Sequence, residues 1–408
     1  MGQDPFNSLR IVRAARDRIP LAVRRLAWLS FWNDAASELA YPLIPIFLTA
    51  TLGAPVSVVG IIEGFGEAVA TGLRGPSGAW SDRVGRRRFV VFGYGLAAFS
   101  KPLLALAPSW GVVVALRFAD RVGKGVRSAP RDAMISDATS SASRGTAFGY
   151  HRSMDTLGAV VGPLVALCLL SAGVPIRWVL AATAIPTLMT LPLLARLPNT
   201  ARRARPPHAK TERLLARLRQ VDRRLWWILA AWALFSLGNS SDAFLILRSQ
   251  QLGLSTALIV LAYATYNLVY ACAAWPAGAA SDRLGRRPVL ILGLVVFALV
   301  YAGFAAASGA WQVWPLFALY GLYIAFTDGV VRALISDIAP PERVGAALGI
   351  VAAMGGICAL VASLAAGFLW DTVGSGVVFA VGSTTAALAA VVLAIAPLGA
   401  PRAQSPKS

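Results

Sequence analysis

Two pairs of acids carry the first chemical signal in this chain. Asp34 and Glu38 are spaced i, i+4, as are Glu63 and Glu67. On a helix each pair lines a single face. Both pairs stand inside long apolar stretches, as do Arg117, Asp120, Arg121 and Lys124, and further on His151, Arg152 and Asp155. Ionisable groups at depth are costly and mark pathways or paired networks. Burial favours the protonated carboxyl and a neighbouring arginine the ionised one, so a carboxyl held between the two can load and release a proton. Asp34, Glu38 or Glu63 would be the loading group, with Arg117 or Arg121 as the partner that protonation releases. A static network that neutralises itself is the alternative. The second half of the chain is poorer in charge, offering Asp242, Arg248, Asp328 and Arg332 among Trp232, Asn239, Tyr263, Tyr266, Asn267, Tyr270, Tyr320 and Tyr323. Aromatic and amide groups of this kind suit an organic solute in a mostly apolar pocket. Asn33, Tyr41, Asn239, Asp242, Tyr266, Asn267, Tyr323 and Asp328 are the candidate contacts, although helix packing accounts for many aromatics as well.

Other chemistries find little support. The chain has two histidines, His151 and His208, so a histidine-built metal site is excluded and no metal or cofactor is expected. Cys168, Cys272 and Cys358 lie in apolar segments without metal-ligand spacing and are expected to pack in the core. No HExxH, GxSxG or phosphate-binding lysine loop occurs, so neither an enzyme nor an ATP-driven pump is indicated.

The elements that must position these groups follow from composition. Of 408 residues, 57% are hydrophobic and 14% charged, well below the charged share of a soluble domain. Apolar stretches run over 26–50, 56–80, 89–107, 110–130, 146–171, 175–195, 225–248, 255–279, 288–308, 311–335, 343–370 and 375–396. Each is long enough for a membrane helix of roughly 20 residues. At about 1.5 Å per residue, Asp34 lies roughly 14 Å beyond Arg25 and Glu67 roughly 22 Å from Asp82, near mid-membrane. The net charge of +19 would point to nucleic acid in a soluble protein. Here 31 of the 38 Lys and Arg fall on alternate connections and the two ends. Basic loops stay in the cytoplasm, which puts both termini there, and no nucleic-acid partner is expected. No cleaved leader is expected either, because a long apolar run follows the basic first 25 residues. The layout is a cytoplasmic segment 1–25, a bundle 26–195, a basic linker 196–224, a bundle 225–396 and a cytoplasmic tail 397–408. In the linker, Leu214, Leu215, Leu218, Val221 and Leu225 form a helical stripe suited to lying on an anionic lipid surface.

The two bundles repeat one another at an offset of 200. Gly78-Ala79-Trp80-Ser81-Asp82-Arg83-Val84-Gly85-Arg86-Arg87 recurs as Gly278-Ala279-Ala280-Ser281-Asp282-Arg283-Leu284-Gly285-Arg286-Arg287. Ile135-Ser136-Asp137 recurs as Ile335-Ser336-Asp337, and Gly149 matches Gly349. Parallel repeats in a membrane chain suggest two bundles rocking about a central site. In these residues the chain resembles the major facilitator superfamily from about residue 22 to 396, because GxxxDRxGRR after the second span is that family's signature. The resemblance implies an all-α membrane protein of twelve transmembrane helices in two six-helix bundles, working by alternating access. It also implies a cytoplasmic latch. Asp82 would face the start of the eleventh span near Arg343, Arg86 would pair with Asp137, and Asp282, Arg286 and Asp337 would repeat this in the second half. Gly158, Gly162 and Pro163 form GxxxGP in the fifth span, resembling a motif of drug–proton antiporters, though Ala166 and Leu167 stand where that motif continues with glycine. Small-residue packing is the other reading of this motif.

What the resemblance implies is a proton-coupled secondary transporter of a small organic solute, working as an efflux antiporter. An importer of the same fold, by symport or uniport and suited to an anionic substrate, is the alternative. Its partners would be the solute, protons and lipids; it would act as a monomer in a bacterial inner membrane.

Overall fold

The computed structural model describes residues 19–140, 143–198, 223–338 and 344–397. Among them every regular element is helical: α1 Leu21–Ala40, α2 Val56–Val84, α3 Arg86–Leu103, α4 Trp110–Asp137, α5 Arg144–Ser171, α6 Ile176–Ala181, α7 Ala184–Ala195, α8 Arg223–Gly238, α9 Ala243–Gln251, α10 Thr256–Leu284, α11 Arg286–Ala306, α12 Val313–Ile338, α13 Val344–Thr372 and α14 Ser375–Ile395. The stripe from Leu214 to Val221, Arg343 and the chain ends lie outside the described residues.

Ten helical segments are long and apolar enough to cross a membrane, two of them joining α6 to α7 and α8 to α9. The chain is therefore an integral membrane protein. Helices α1 and α4 are not among the ten, for a physical reason. Each carries too many ionisable groups: Arg24, Arg25, Asp34 and Glu38 in α1, and Arg117, Asp120, Arg121, Lys124 and Arg127 in α4. Of the twelve spans expected, ten are apolar enough to cross a membrane by length and composition. The outer surface is greasy, with Trp178, Trp275 and Trp311 mostly exposed. Cys168 and Cys272 share that exposure, contrary to the core packing expected of them, and only Cys358 is buried.

Interruptions of the helices have local causes. After α1 the chain tightens to a 3₁₀ turn at Tyr41–Leu43 and widens to a π turn at Phe47–Thr51, flanking Pro42 and Pro45, which lack an N–H. The seventh apolar stretch breaks after Gly238. Ser241 Oγ there accepts the amide of Ala243 at 3.3 Å, the kind of side-chain bond by which serine competes with a helix. Single residues join α2 to α3 and α10 to α11. Gly85 has φ +109° and Gly285 φ +93°, a region that only glycine enters cheaply.

Among the described residues the chain divides into two compact units, one within Met1–Tyr41 and Gly72–Arg205, the other within Pro42–Thr71 and Pro206–Ser408. In the first unit α1 packs on α5 and α3 on α4. A Cβ on Gly123 would stand 2.6 Å from the carbonyl oxygen of Gly93, so the backbones of α3 and α4 nearly touch. In the second unit α10 packs on α12, and α11 on α12 and α14, around Phe235, Phe297, Tyr301, Phe304, Phe317 and Phe379. The first half of α2 belongs here. Gly60 meets the Ser363 carbonyl, and Asp371 at the end of α13 accepts the amides of Val56 and Ser57 at 3.0 and 2.8 Å. Those amides have no partner within α2, so Asp371 caps that helix from another element.

Candidate functional site

A polar network threads the first unit through α1, α3, α4 and α5. Lys101, 2% exposed, donates to Asn33 Oδ1 at 2.7 Å and to the Asn33 carbonyl at 3.2 Å, and its Nζ lies 3.7 Å from Asp120. Arg117 approaches the other oxygen of Asp120 at 3.5 Å. Asn33 passes the chain on by donating to Asp34 at 2.9 Å. Asp34 and Asp155 meet side chain to side chain. Ser30 donates to Asp155 at 2.8 Å and accepts from Arg131 at 3.3 Å, while Arg152 reaches Asp155 at 3.1 Å. Arg127 lies 4.6 Å above the ring of Tyr94, a cation–π contact.

The GxxxGP motif builds this meeting. A Cβ on Gly158 would strike the Phe31 carbonyl, and one on Gly162 would stand 2.7 Å from the Leu39 amide. With neither present, α5 lies directly on α1, and Asp155, almost one turn before Gly158, arrives beside Ser30 and Asp34. Two bare carboxylates side by side repel, so a proton shared between them would relieve the pair.

The signature residues gather at the helix ends. Arg86 bonds Asp82 at 2.9 Å, the Ala133 carbonyl at 2.7 Å, and Asp137. Arg286 bonds Asp282 at 2.5 Å, Asp337 at 3.2 Å and Ser281 at 2.6 Å. Gly78 faces Ala129 whereas Gly278 faces open space, and Arg83 and Arg283 are exposed. The two copies therefore share chemistry and differ in burial. Each copy's last arginine caps another helix: Arg87 donates to the Ala195 carbonyl and Arg287 to that of Ala394.

In the second unit polar groups collect at the break between α8 and α9. Asp242 accepts the hydroxyls of Tyr266 at 2.8 Å and Tyr320 at 2.6 Å. Asn239 donates to the Tyr323 oxygen at 3.3 Å, and Ser241 to Glu63 at 3.3 Å. Glu63, which the sequence reading grouped with Asp34 and Arg117, thus sits beside Ser241 and close to Asp242. Asp328 is taken by Arg332 at 2.5 Å and Tyr270 at 3.2 Å, and Asn267 donates to its own helix at the Tyr263 carbonyl. Glu67 accepts from Thr71 at 3.4 Å. Glu38, Tyr41, Arg121 and Lys124 also engage neighbours. Asn33, expected as a solute contact, is buried as the lysine's partner.

Sequence reasoning left Lys101, Ser30, Tyr94 and Arg131 out of the candidate set. One signal was present for Lys101, a lone lysine inside an apolar stretch. Nothing in the sequence marked Ser30 or Tyr94.

Comparison with known proteins agrees with this architecture. The family profile described as Major Facilitator Superfamily matches residues 26–260 and 243–408. An MFS-type transporter of Methanocaldococcus jannaschii is 32% identical over 378 residues, covering 90% of this chain and 93% of that protein. Multidrug resistance protein MdtH of Photorhabdus laumondii is 32% identical over 130 residues, 32% of either chain. The crystal structure of the nucleoside transporter NupG superposes with a TM-score of 0.76 at 13% identity, covering 91% of this chain and 99% of that one, a likeness of fold. The matched helices, the doubled signature and the near full-length relative lead to one conclusion: the chain belongs to the major facilitator superfamily.

Proposed function

We propose that the protein is a proton-coupled secondary transporter that exports a small organic solute by alternating access. The observation that carries this reading is the Asp34–Asp155 pair, tied through Asn33 to Lys101 and Asp120. A proton shared by two carboxyls is held while they touch and released when α1 and α5 shift apart. The pair stands in a network whose bases can answer each change of charge, and removing a proton here strengthens the pull of Arg131 and Arg152. Export is supported by the likeness to MdtH, whose name records multidrug resistance.

The ten apolar segments together with α1 and α4 would make twelve crossings. Two six-helix bundles, 26–195 and 225–396, would be joined by the basic linker 196–224. Both termini would face the cytoplasm of a bacterial inner membrane, and the chain would act as a monomer. The paired signatures at Arg86 and Arg286 would serve as the cytoplasmic latch.

The test is transport by the full chain in proteoliposomes with an imposed proton gradient. Asp34→Asn and Asp155→Asn should each abolish proton-driven movement while leaving exchange of solute across the membrane. Full coupling in both variants would sink the reading. An importer of an anionic solute remains the second reading, favoured by Arg117, Arg121, Lys124 and Arg127 sharing α4 with the acids Asp120 and Asp132. Uptake of anions that persists without a proton gradient would select it.

A further inference from the structure

We propose that the break between α8 and α9 is a binding site for an organic cation, an ammonium compound carrying apolar groups. The inference rests on the transporter reading and adds the chemical class of the solute.

Both oxygens of Asp242 act as acceptors, one toward Tyr320 at 2.6 Å and one toward Tyr266 at 2.8 Å. Each oxygen keeps a further lone pair. No lysine or arginine touches Asp242 among the described residues; its neighbours are tyrosine hydroxyls and a second acid, Glu63. An acid in an apolar bundle with no protein cation beside it carries its charge cheaply only when a cation comes to it from outside. Asp120, Asp155 and Asp328 differ in this respect: Asp120 has Lys101 and Arg117, Asp155 has Arg152, and Asp328 has Arg332.

The walls decide which cation. Tyr266 and Tyr320 lie edge to face at 5.4 Å, Tyr320 and Tyr323 are tilted to one another at 5.1 Å, and Phe297 meets Tyr323 at 4.8 Å. Ring faces attract an alkylated ammonium, whose charge is spread and weakly hydrated. They are poor replacements for the water shell of a small inorganic ion, which asks for a cage of oxygens. Among the described residues no group of three or more acids, histidines or cysteines assembles that could hold a metal ion.

A second observation points the same way. Ser240, on the break, and Tyr301, close to Asp242, bury their hydroxyls beside one another and add two polar groups to this place. Either hydroxyl can engage a polar group of a ligand. The break in the helix also frees backbone from the helical ladder at the same place, a feature of transporter sites.

The experiment is equilibrium binding to the full chain purified in detergent, read by calorimetry. The probes are benzyltrimethylammonium, its uncharged carbon isostere neopentylbenzene, and sodium ion. Saturable binding of benzyltrimethylammonium at least tenfold tighter than that of neopentylbenzene is expected. Asp242→Asn should weaken it at least tenfold, and Tyr320→Leu severalfold. Tyr320→Phe, which keeps the ring, should retain binding if Asp242→Asn fails to fold. Equal binding of the charged and uncharged probes, no saturable binding of the cation, displacement of it by sodium at equal concentration, or unchanged affinity in Asp242→Asn would each overturn the proposal. No gradient enters this measurement. Cation binding without proton coupling would therefore overturn only the reading of Asp34 and Asp155, and coupling without cation binding only this inference.

Discussion

Replacing Lys101 by methionine keeps the length of the side chain and removes its charge, so it isolates what the buried ammonium contributes. Its Nζ lies 3.7 Å from Asp120 and 2.7 Å from Asn33 Oδ1, with 2% of the residue exposed. At an effective dielectric constant of about 20, two unit charges at that separation attract by about 4.5 kcal/mol. The charge-assisted bond to Asn33 adds roughly 2 kcal/mol. Against this stands the desolvation of the lysine, which methionine does not suffer. Arg117, 3.5 Å from Asp120, also continues to neutralise the acid. The net loss should be about 3 kcal/mol, in the range for breaking one partner of a buried pair. Asp120→Asn should cost a similar amount. The double variant should cost at least about 2 kcal/mol less than the sum of the two, because each single change strands the other's charge. Unfolding of the purified protein by dodecyl sulfate from mixed micelles, followed by far-UV circular dichroism, measures all three. Additive losses, or a Lys101→Met loss below about 0.5 kcal/mol, would refute the claim that this pair organises the network.

Four further outcomes follow from the geometry. Gly158→Ala places a methyl against the Phe31 carbonyl and should cost about 1–3 kcal/mol in the same assay. Gly95→Ala, where a Cβ meets nothing within 4 Å, should be neutral or slightly stabilising. Asp371→Ala removes the cap on Val56 and Ser57 and should cost about 1 kcal/mol, with Asp371→Asn within a few tenths of the parent; equal losses would argue against capping. Arg86→Ala should destabilise more than Arg286→Ala, roughly 2 against under 1 kcal/mol. The Arg86 side chain is 10% exposed and its partners 29%, while Arg286 is 25% exposed and its partners 63% and 45%. The reverse order in thermal inactivation would show that burial does not rank the two copies.

Much of this fold was legible in one dimension. Apolar runs, basic loops and an offset of 200 are properties of residue order, and a membrane converts them directly into helices. The bond of Arg86 to Asp82 spans the break at Gly85, whereas the sequence reading set Asp82 toward the start of the eleventh span. The partners of Asp34 did not follow from residue order either. Arg117 or Arg121 was expected beside Asp34, Glu38 or Glu63; Arg117 lies by Asp120, and Asp34 meets a second acid, Asp155. Spacing along a helix says which residues share a face and leaves open which neighbour that face meets.

The sequence by itself determined the order of the apolar segments, the doubled signature and the family they belong to, because hydropathy and short-range spacing are local. Only the tertiary structure decided that Lys101 is bound into Asn33 and Asp120, that Glu63 keeps company with Ser241 and Asp242, and that the seventh apolar segment opens where tyrosines from α10 and α12 converge. Those meetings depend on how each helix is rotated and how closely glycines let two backbones approach. Rotation and approach are set by packing across hundreds of residues, and no local pattern records them.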